Sequence, residues 1–342
     1  MNMEIQEIGP PSYDPGVVLG DWFTPRGTEE LEAYLAAEVW GGVGSPVSWK
    51  VARLSSAAYI YREVETNWAV VAKFFGAKTG AGAGKYARRE YDQTQNARQL
   101  GLDREGMRAV APLAVWRGVL LFEYVPGLTL EDIIAIRRSH PGTLLPALEK
   151  TADILASLHR LSAKPDEASD FERAIAQAHK YLRNLSKYGV LKRRPFRRRN
   201  LSRLIDHWAA NSRMTTYVPV FNHGDTTTTN FIFPPEGGIV AIDWERAKVT
   251  DPAADVGRLL AEVSHGITDH GGNLEEVAQA VNVLQARYCA SLPTHEARGP
   301  LMERARFHQA SSTLRIARNG WLSPAYRLSL VERASGLLSD NY

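Results

Sequence analysis

The pattern of apolar and polar residues is β-like between about residues 47 and 125. Short runs rich in β-branched and aromatic residues alternate there with turn-forming breaks, which is typical of strands. The five predicted strands are Val47–Leu54, Ala58–Val64, Trp68–Phe75, Met107–Trp116 and Val119–Val125. A helix from about Lys85 to Leu100, ended by Gly101, lies between the third and fourth strands. This region is therefore predicted to form a small five-stranded lobe with one main helix.

From residue 126 onward, the apolar residues recur mostly with a helical period. Pro126-Gly127 is a natural hinge, and Thr129 followed by Asp132 has the spacing of a capping box. Further helices are predicted at about 144–163, 171–188, 199–211, 251–265, 273–291, 299–319 and 324–338. This part of the chain is predicted to form a larger, mainly helical lobe that contains one β-hairpin.

Residues 1–46 lack a comparable pattern over most of their length. Prolines within the first 15 residues indicate an irregular start, and a short helix is predicted over 28–40. The predicted organisation is thus an α+β chain with a lead-in over 1–46, a small lobe over 47–125 and a large lobe over 126–342.

Composition narrows the class of protein. The 342-residue chain is 44% hydrophobic and 23% charged, with a formal net charge of +3, which is ordinary for a globular protein. Its one cysteine, Cys289, excludes an intramolecular disulfide framework and a four-cysteine zinc site. No apolar run approaches the roughly 20 residues of a membrane helix, and the first residues do not follow the basic-then-apolar order of a secretory signal. These observations predict a cytoplasmic protein without a membrane partner.

The most informative segment is FNHGDTTTTNFIFPPEGGIVAIDWE, residues 221–245. Phe231–Phe233 and Ile239–Ile242 are short apolar runs separated by turn-forming residues, so a hairpin is predicted. Such a hairpin would bring Asn230, at the entrance of one strand, beside Asp243, at the exit of the other.

Phosphoryl transfer is the chemistry that this arrangement suits. Mg²⁺ prefers carboxylate and amide oxygens, and a separate carboxylate accepts the proton of the attacking hydroxyl. The spacing of His223, Asp225 and Asn230 matches a kinase catalytic loop, in which the aspartate is the base and the asparagine binds metal. We therefore predict Asp225 as the base, Asn230 and Asp243 as metal ligands, and His223 as a catalytic-loop residue that supports the loop.

A kinase also needs groups that hold the nucleotide. Lys73 ends an apolar strand in the run V-V-A-K and is predicted to grip the phosphates of ATP, while Glu90 on the following helix is predicted to hold the lysine. Ser55 and Ser56 lie between the first two strands, where a phosphate-covering loop belongs. They are predicted to let the backbone approach the phosphate oxygens.

The adenine edge is predicted to contact the backbone of the strand that leads to the hinge, at Glu123, Tyr124 and Val125. The glycine-rich segment Gly76–Gly84 does not fit the frame of a P-loop, because Tyr86 follows the lysine. We interpret that segment as a flexible connection between a strand and a helix.

Together these motifs resemble the aminoglycoside phosphotransferase and choline kinase family, whose members share a bilobal protein-kinase-like fold. The matching segments are V-V-A-K (70–73), L-L-F-E-Y-V-P-G (120–127), I-L-A-S-L-H-R-L (154–161), H-G-D-x4-N (223–230), I-D-W-E (242–245) and D-P-A-A-D-V (251–256). The resemblance implies a base at Asp225, metal ligands at Asn230 and Asp243, and nucleotide contacts from Lys73. It implies ATP and Mg²⁺ as cofactors, with GTP as an open alternative. The sequence departs from the family in having no glycine between residues 51 and 62.

A small molecule is the predicted phosphate acceptor, and a protein substrate is disfavoured. Residues 246–250, between the I-D-W-E segment and the predicted helix start at Asp251, are too few to form a segment that docks a peptide. Gly224 also stands where an arginine would pair with an activation-loop phosphate. Asp255, one turn into that helix, is predicted to support the catalytic loop by hydrogen bonds.

The favoured acceptor is a hydroxyl group of a sugar, amino sugar or amino alcohol. An aminoglycoside antibiotic is the alternative, but residues 183–203 carry nine Lys and Arg and no Asp or Glu. If that stretch lined the cleft, it would repel a polycation. A different class also stays open, namely an inactive ATP-binding module or a nucleic-acid-associated protein that uses the basic tract 192–199. Nucleic acid is disfavoured as a partner, because Phe196 is the one aromatic residue in that tract.

Overall fold

The computed structural model describes residues 7–13, 18–41, 47–76, 82–164, 170–292 and 295–339, so most of Gly76–Gly84 lies outside the described residues. The chain divides into two compact units. The first comprises Met1–Gln99, Ala109–Pro126 and Asp243–Glu245, and the second comprises Leu100–Arg108, Gly127–Ile242 and Arg246–Tyr342.

The first unit is built on an antiparallel sheet. Its strands are β1 (Trp22–Phe23), β2 (Trp49–Arg53), β3 (Ala58–Glu63), β4 (Ala69–Phe74), β7 (Pro112–Trp116) and β8 (Val119–Glu123). Its helices are α1 (Glu29–Tyr34), which a π-helical segment continues over Leu35–Trp40, and α2 (Ala83–Gln99). The strand order is β1-β2-β3-β4-β8-β7.

Strand β4 shows how this sheet separates its two faces. Val70, Ala72 and Phe74 are buried and belong to a core that also contains Leu31 and Leu35. Because side chains alternate along a strand, Lys73 projects from the opposite face. Helix α2 contacts β7 and β8 of the same sheet.

The described part of the first unit has one strand more than the sequence predicted. β1 adds the sixth strand by pairing with β2, and a two-residue strand is too short to show a periodic pattern. The run predicted over 107–116 is divided between β7 and a strand of another sheet, β6 (Met107–Ala109). Ala111 leaves the ladder between them, because its N–H donates to a carboxylate oxygen of Glu123 at 2.6 Å.

The second unit is mainly helical. Its helices are α3 (Leu130–Ile136), α4 (Leu144–Leu161), α5 (Glu172–Lys187), α6 (Pro195–Ala209), α7 (Pro252–Asp269), α8 (Leu274–Ala290), α9 (His295–Ile316) and α10 (Pro324–Ser339). The predicted capping box is present, since Thr129 Oγ1 accepts from Asp132 N and the Asp132 side chain accepts from Thr129 N. No helix among the described residues is both long and apolar enough to cross a membrane.

Two small sheets accompany these helices, whereas the sequence predicted a single hairpin. Their strands are β5 (Asp103–Arg104), β6, β9 (Leu128–Thr129), β10 (Val220–Asn222), β11 (Phe231–Phe233), β12 (Ile239–Ala241) and β13 (Lys248–Thr250). The predicted hairpin is β11–β12, and it lies within a sheet of order β5-β6-β12-β11-β9. β10 pairs with β13 in a separate two-stranded sheet.

Helix α7 packs tightly against α9. A Cβ added to Gly257 of α7 would lie 2.3 Å from the main-chain oxygen of Ala305 in α9, so only glycine allows this approach. Asp251 caps α7 by accepting from Ala253 N, and Pro252 occupies the first turn, where its missing N–H costs nothing. This packing sets the position of the α7 side chains that contact the loop at 222–225.

Candidate active site

Lys73 is the centre of a charged cluster in the first unit. Its Nζ lies 2.9 and 2.7 Å from the two carboxylate oxygens of Glu90, and 2.8 Å from Oδ1 of Asp243. Glu245 Oε2 lies 3.5 Å from the same nitrogen. The structure thus brings together the predicted lysine, its predicted glutamate partner and one predicted metal ligand.

This cluster holds more carboxylates than cations. Burial raises the pKa of Glu90 to about 7; Lys73 opposes this shift, while the carboxylates of Asp243 and Glu245 reinforce it. Burial alone would lower the pKa of Lys73, but attraction from Glu90 and Asp243 outweighs burial and holds that pKa above its ordinary value. The lysine is therefore positively charged at neutral pH, and its surroundings favour a further cation.

The cluster offers the donor atoms of a magnesium site. Glu90, Asp243 and Glu245 each supply a carboxylate oxygen, and these oxygens lie within 4.8 Å of one another. Hard oxygen donors of this kind suit Mg²⁺. Asp243 has a φ of +63°, in the left-handed region that aspartate tolerates better than most residues do. The next residue, Trp244, is fully buried.

A pocket of about 240 Å³ adjoins Lys73 in the first unit. It is lined by Ala57, Phe75, Tyr86, Arg89 and Glu245 beside the lysine. The ammonium group lies 5.5 Å from the centre of the Phe75 ring. This pocket combines cationic, apolar and anionic groups, as a site for a metal-bound phosphate requires.

The other residues predicted to contact nucleotide also lie in the first unit. Ser55 and Ser56 form the exposed turn between β2 and β3, where Ser55 Oγ accepts from the N–H groups of Ala57 and Ala58. Glu123 ends β8, and its N–H donates to the main-chain oxygen of residue 111 at 3.0 Å. That N–H is therefore already engaged by the main chain, and Tyr124 and Val125 follow it before the chain enters the second unit.

Contacts to the backbone hold the loop that carries Asp225 in the second unit. The N–H groups of His223 and Gly224 donate to the two carboxylate oxygens of Asp255 at 2.7 and 2.9 Å. The His223 ring contacts the main-chain oxygen of Ile242 through Nε2 at 2.9 Å, and its Nδ1 accepts from Asp225 N at 3.3 Å. His223 is fully buried, and Asp255 supports the loop as predicted.

Asp255 is held as a buried anion by histidines on two sides. Burial alone would raise its pKa, but hydrogen bonding to His159 and attraction from His159 and His223 lower it overall. His159 Nε2 lies 3.3 Å from Asp255, and its Nδ1 lies 2.7 Å from the hydroxyl of Tyr288. Both ring nitrogens of His159 on α4 thus have a polar partner.

Glycine is required at position 224. The residue has a φ of +79°, and an added Cβ would lie 2.2 Å from the main-chain oxygen of Arg246. A side chain would therefore force the loop at 222–225 away from the segment that follows residue 245.

Asp225 lies between two arginines that sequence reasoning did not identify. Its side chain is nearly buried, and Oδ1 accepts a hydrogen bond from Arg258 of α7. Oδ2 lies 3.4 Å from Arg246. The one signal available for Arg258 was its place three residues after Asp255, on the same side of a predicted helix.

Asn230 lies at the end of a single 3₁₀ turn, Thr228–Asn230, just before β11. Its side-chain nitrogen donates to the main-chain oxygen of Asp225 at 2.8 Å, so its amide oxygen is the atom suited to bind a metal. Ile242 N donates to Asn230 O at 3.0 Å, which extends the pairing of the β11–β12 hairpin. Asp243 directly follows this hairpin in the chain.

Glu245 was not assigned a role from the sequence, although it belongs to the I-D-W-E segment. Its spacing from Asp243, with one residue between them, was the one local signal that pointed to it, although this spacing does not indicate a contact with Lys73. The structure places both carboxylates at the Lys73 ammonium.

Comparison with known proteins gives one family. The model of the phosphotransferase enzyme family (APH) matches residues 64–301, well over half of the chain. No curated protein sequence matches the chain.

Solved structures of similar fold include three kinases. A choline kinase, LicA, from Streptococcus pneumoniae has a TM-score of 0.53 at 18% identity, covering 91% of this chain and 99% of that chain. The aminoglycoside phosphotransferase APH(2'')-Ib, bound to ADP, has a TM-score of 0.53 at 14% identity, with 90% and 97% covered. An ethanolamine kinase from Plasmodium vivax has a TM-score of 0.54 at 13% identity, with 92% and 88% covered. At these identities the likeness concerns the fold, which is α+β and protein-kinase-like.

Proposed function

From the chain's membership of the phosphotransferase enzyme family, which makes it an ATP-dependent phosphotransferase, we propose that it phosphorylates a hydroxyl group of a small polyhydroxylated molecule such as a sugar. The observation that carries this proposal is the cluster at Lys73, where one ammonium group contacts Glu90 and Asp243 at 2.7–2.9 Å. A lysine held by a glutamate suits the α- and β-phosphates of ATP. Ser55 and Ser56 are proposed to cover the phosphates, and the backbone of Glu123–Val125 to contact adenine.

Asp225 is proposed as the general base. It accepts the proton of the acceptor hydroxyl as the hydroxyl oxygen bonds to the γ-phosphorus, while the bond from that phosphorus to the leaving ADP oxygen breaks. Asn230 and Asp243 are proposed to hold Mg²⁺, which when bound neutralises charge on the phosphates. His223 is proposed as a positioning residue, because its contacts to Ile242 and Asp225 span the loop.

The test is an assay of ATP consumption over sugars, amino sugars, amino alcohols and aminoglycosides. With an acceptor in hand, Asp225→Asn should lower kcat by roughly 10²–10⁴ while ATP still binds. Asp206→Asn is the matched control, since Asp206 is an exposed residue of α6. Near-normal turnover by Asp225→Asn would remove Asp225 from the role of base.

The metal assignment has a separate test. Asp243→Ala should abolish Mg²⁺-dependent nucleotide binding, because it removes one carboxylate of the cluster. Binding of ATP measured by calorimetry with and without Mg²⁺ reports this directly. An unchanged ATP affinity in the presence of Mg²⁺ would contradict the role of Asp243, and ATP binding without turnover on any acceptor would favour an inactive ATP-binding module.

A further inference from the structure

A large pocket lies wholly within the second unit, next to the loop that carries Asp225. Its volume is about 540 Å³. Its wall includes Asn222 and Gly224 of that loop and Arg258, the arginine that contacts Asp225. This pocket is therefore continuous with the surroundings of the proposed base, and it has the size of a small-molecule site.

The carboxylates of this pocket are already engaged. Asp170 pairs with Arg173 at 2.8 Å. Asp251 caps α7 and pairs with Arg304 at 2.8 Å. The third carboxylate, Asp255, accepts from the N–H groups of the loop. Asp251 and Asp255 are buried and hold contacts that the fold uses, so they are not left to bind a cationic ligand, and the charge of the more exposed Asp170 is offset by Arg173.

Two cations of the pocket, Arg173 and Arg258, are paired, whereas three others in the described lining are not. Lys180 and Arg183 of α5 and Lys248 of β13 are exposed and line the pocket. None of the three makes an ion pair or a side-chain hydrogen bond within the described parts of the chain. The charges without a partner in the described lining are therefore positive, which favours anions and disfavours cations.

Asn222, which lines the pocket, carries a buried neutral acceptor atom. Asn222 is fully buried, and its Nδ2 donates to the main-chain oxygen of Asp251 at 2.7 Å, which sets the orientation of the amide. Its Oδ1 has no hydrogen-bond partner among the described residues. Leaving a buried acceptor unpaired is costly, so a ligand hydroxyl that donates to it would be stabilised.

We infer that this pocket binds a phosphate acceptor that carries an oxyanion group, a carboxylate or a phosphate, in addition to its hydroxyls. This inference rests on the proposed function. Lys180, Arg183 and Lys248 hold the oxyanion, and Asn222 accepts from a hydroxyl of the same molecule. Amino alcohols, amino sugars and aminoglycosides are disfavoured, because their ammonium groups would lie among cations without a carboxylate to pair with. The acceptor class is thereby narrowed to sugar acids, sugar phosphates and related polyols.

Binding of inorganic phosphate to the full-length protein tests the pocket without catalysis. Calorimetry at low salt should show binding that Lys180→Glu weakens roughly tenfold. Lys187→Glu is the matched control, because Lys187 lies on the same helix outside the pocket lining. Lys73→Met separates this pocket from the nucleotide phosphate site and should change the affinity less than about twofold. No phosphate binding, or binding lost in Lys73→Met and kept in Lys180→Glu, would overturn the inference.

Turnover then distinguishes the acceptor classes. A sugar, its amino sugar, its sugar acid and its sugar phosphate are compared by kcat/KM. The sugar acid or the sugar phosphate should be preferred, and the better of the two identifies the oxyanion. Lys180→Glu should raise KM for that acceptor several-fold with kcat kept, whereas Lys187→Glu should not. Preference for the amino sugar would overturn the inference but not the proposed kinase activity. No ATP consumption on any acceptor would count against the proposed function. In that case the phosphate-binding experiment would still test whether the pocket binds an oxyanion.

Discussion

The two charged centres of this protein are of opposite sign. In the first unit a single lysine, Lys73, is contacted by three carboxylates. In the second unit a single carboxylate, Asp225, is contacted by two arginines and lies near a pocket lined by further cations. The first centre therefore favours an additional cation, and the second favours an anion.

The two centres also differ in what holds them together. Around Lys73 the side chains of the charged cluster contact one another, so each side chain helps to hold the others in position. Around Asp225 the support comes from the backbone, since Asp255 accepts from two loop N–H groups and Gly224 lies against the main chain of Arg246. A change of charge should therefore alter the first centre most, and a change of backbone shape should alter the second.

The largest effect is expected from Gly224→Ala. Its Cβ would lie 2.2 Å from a main-chain oxygen, at a residue with a φ of +79°. Overpacking and left-handed strain together should lower the free energy of unfolding by about 3–5 kcal/mol. Urea denaturation followed by circular dichroism measures this loss.

Gly237→Ala is the control for that substitution. Gly237 also has a positive φ, of +102°, but no atom lies within 4 Å of its added Cβ. Strain alone should cost about 1–2 kcal/mol there. Equal losses in the two variants would mean that the close approach at Arg246 does not support the catalytic loop.

The next largest effect is expected from pH, because the free energy of unfolding should depend on the titration of Glu90 in the first centre. Burial raises the pKa of Glu90 from 4.5 to about 7, so the folded protein without added metal binds this proton more tightly than the unfolded chain does. The free energy of unfolding should therefore fall as pH rises from about 4.5 to about 7, by up to roughly 3 kcal/mol. Glu90→Gln removes this titration, so the difference in stability between wild type and variant should change over that range. A difference that stays constant from pH 4.5 to pH 7.5 would contradict the charge imbalance at Lys73.

The smallest effect compares the two arginines at Asp225. The side chain of Arg246 is 52% exposed and lies 3.4 Å from the carboxylate, whereas that of Arg258 is 16% exposed. Because exposed ion pairs are weak, Arg246→Ala should change the free energy of unfolding by about 0.5 kcal/mol or less. Arg258→Ala should cost about 1–2 kcal/mol, because it leaves a nearly buried carboxylate with one partner fewer. Equal losses in the free energy of unfolding for the two variants would show that burial does not distinguish the two contacts.

Sequence reasoning was most successful where a pattern repeats within one segment. The helices α4 to α10 were all predicted, since each is a long run of helix-forming residues, and in α4, α5 and α7 that run also shows an amphipathic period. The strand β1 and the short strands β5, β9, β10 and β13 were not predicted. Strands of two or three residues carry no period, and only their partners in the sheet make them strands.

The candidate site divides in the same way between features that a local pattern predicts and features that only packing creates. The spacing of His223, Asp225 and Asn230, the hairpin before Asp243, and the support of the loop by Asp255 all follow from local sequence. The ion pairs of Arg258 with Asp225 and of Glu245 with Lys73 did not follow from local sequence. Ion pairs between distant segments depend on how the folded chain brings those segments together.

The class of fold and the chemical groups available for phosphoryl transfer follow from the order of residues, because both are encoded within short segments. The charge around those groups depends instead on how the chain packs. The pocket beside Asp225 is lined by Lys180 and Arg183 of α5. The basic tract at 192–199 belongs to a different element, because it includes the first turn of α6. Electrostatic potential sums over residues that are remote in sequence and near in space, so it is set by packing and cannot be obtained from the order of residues alone.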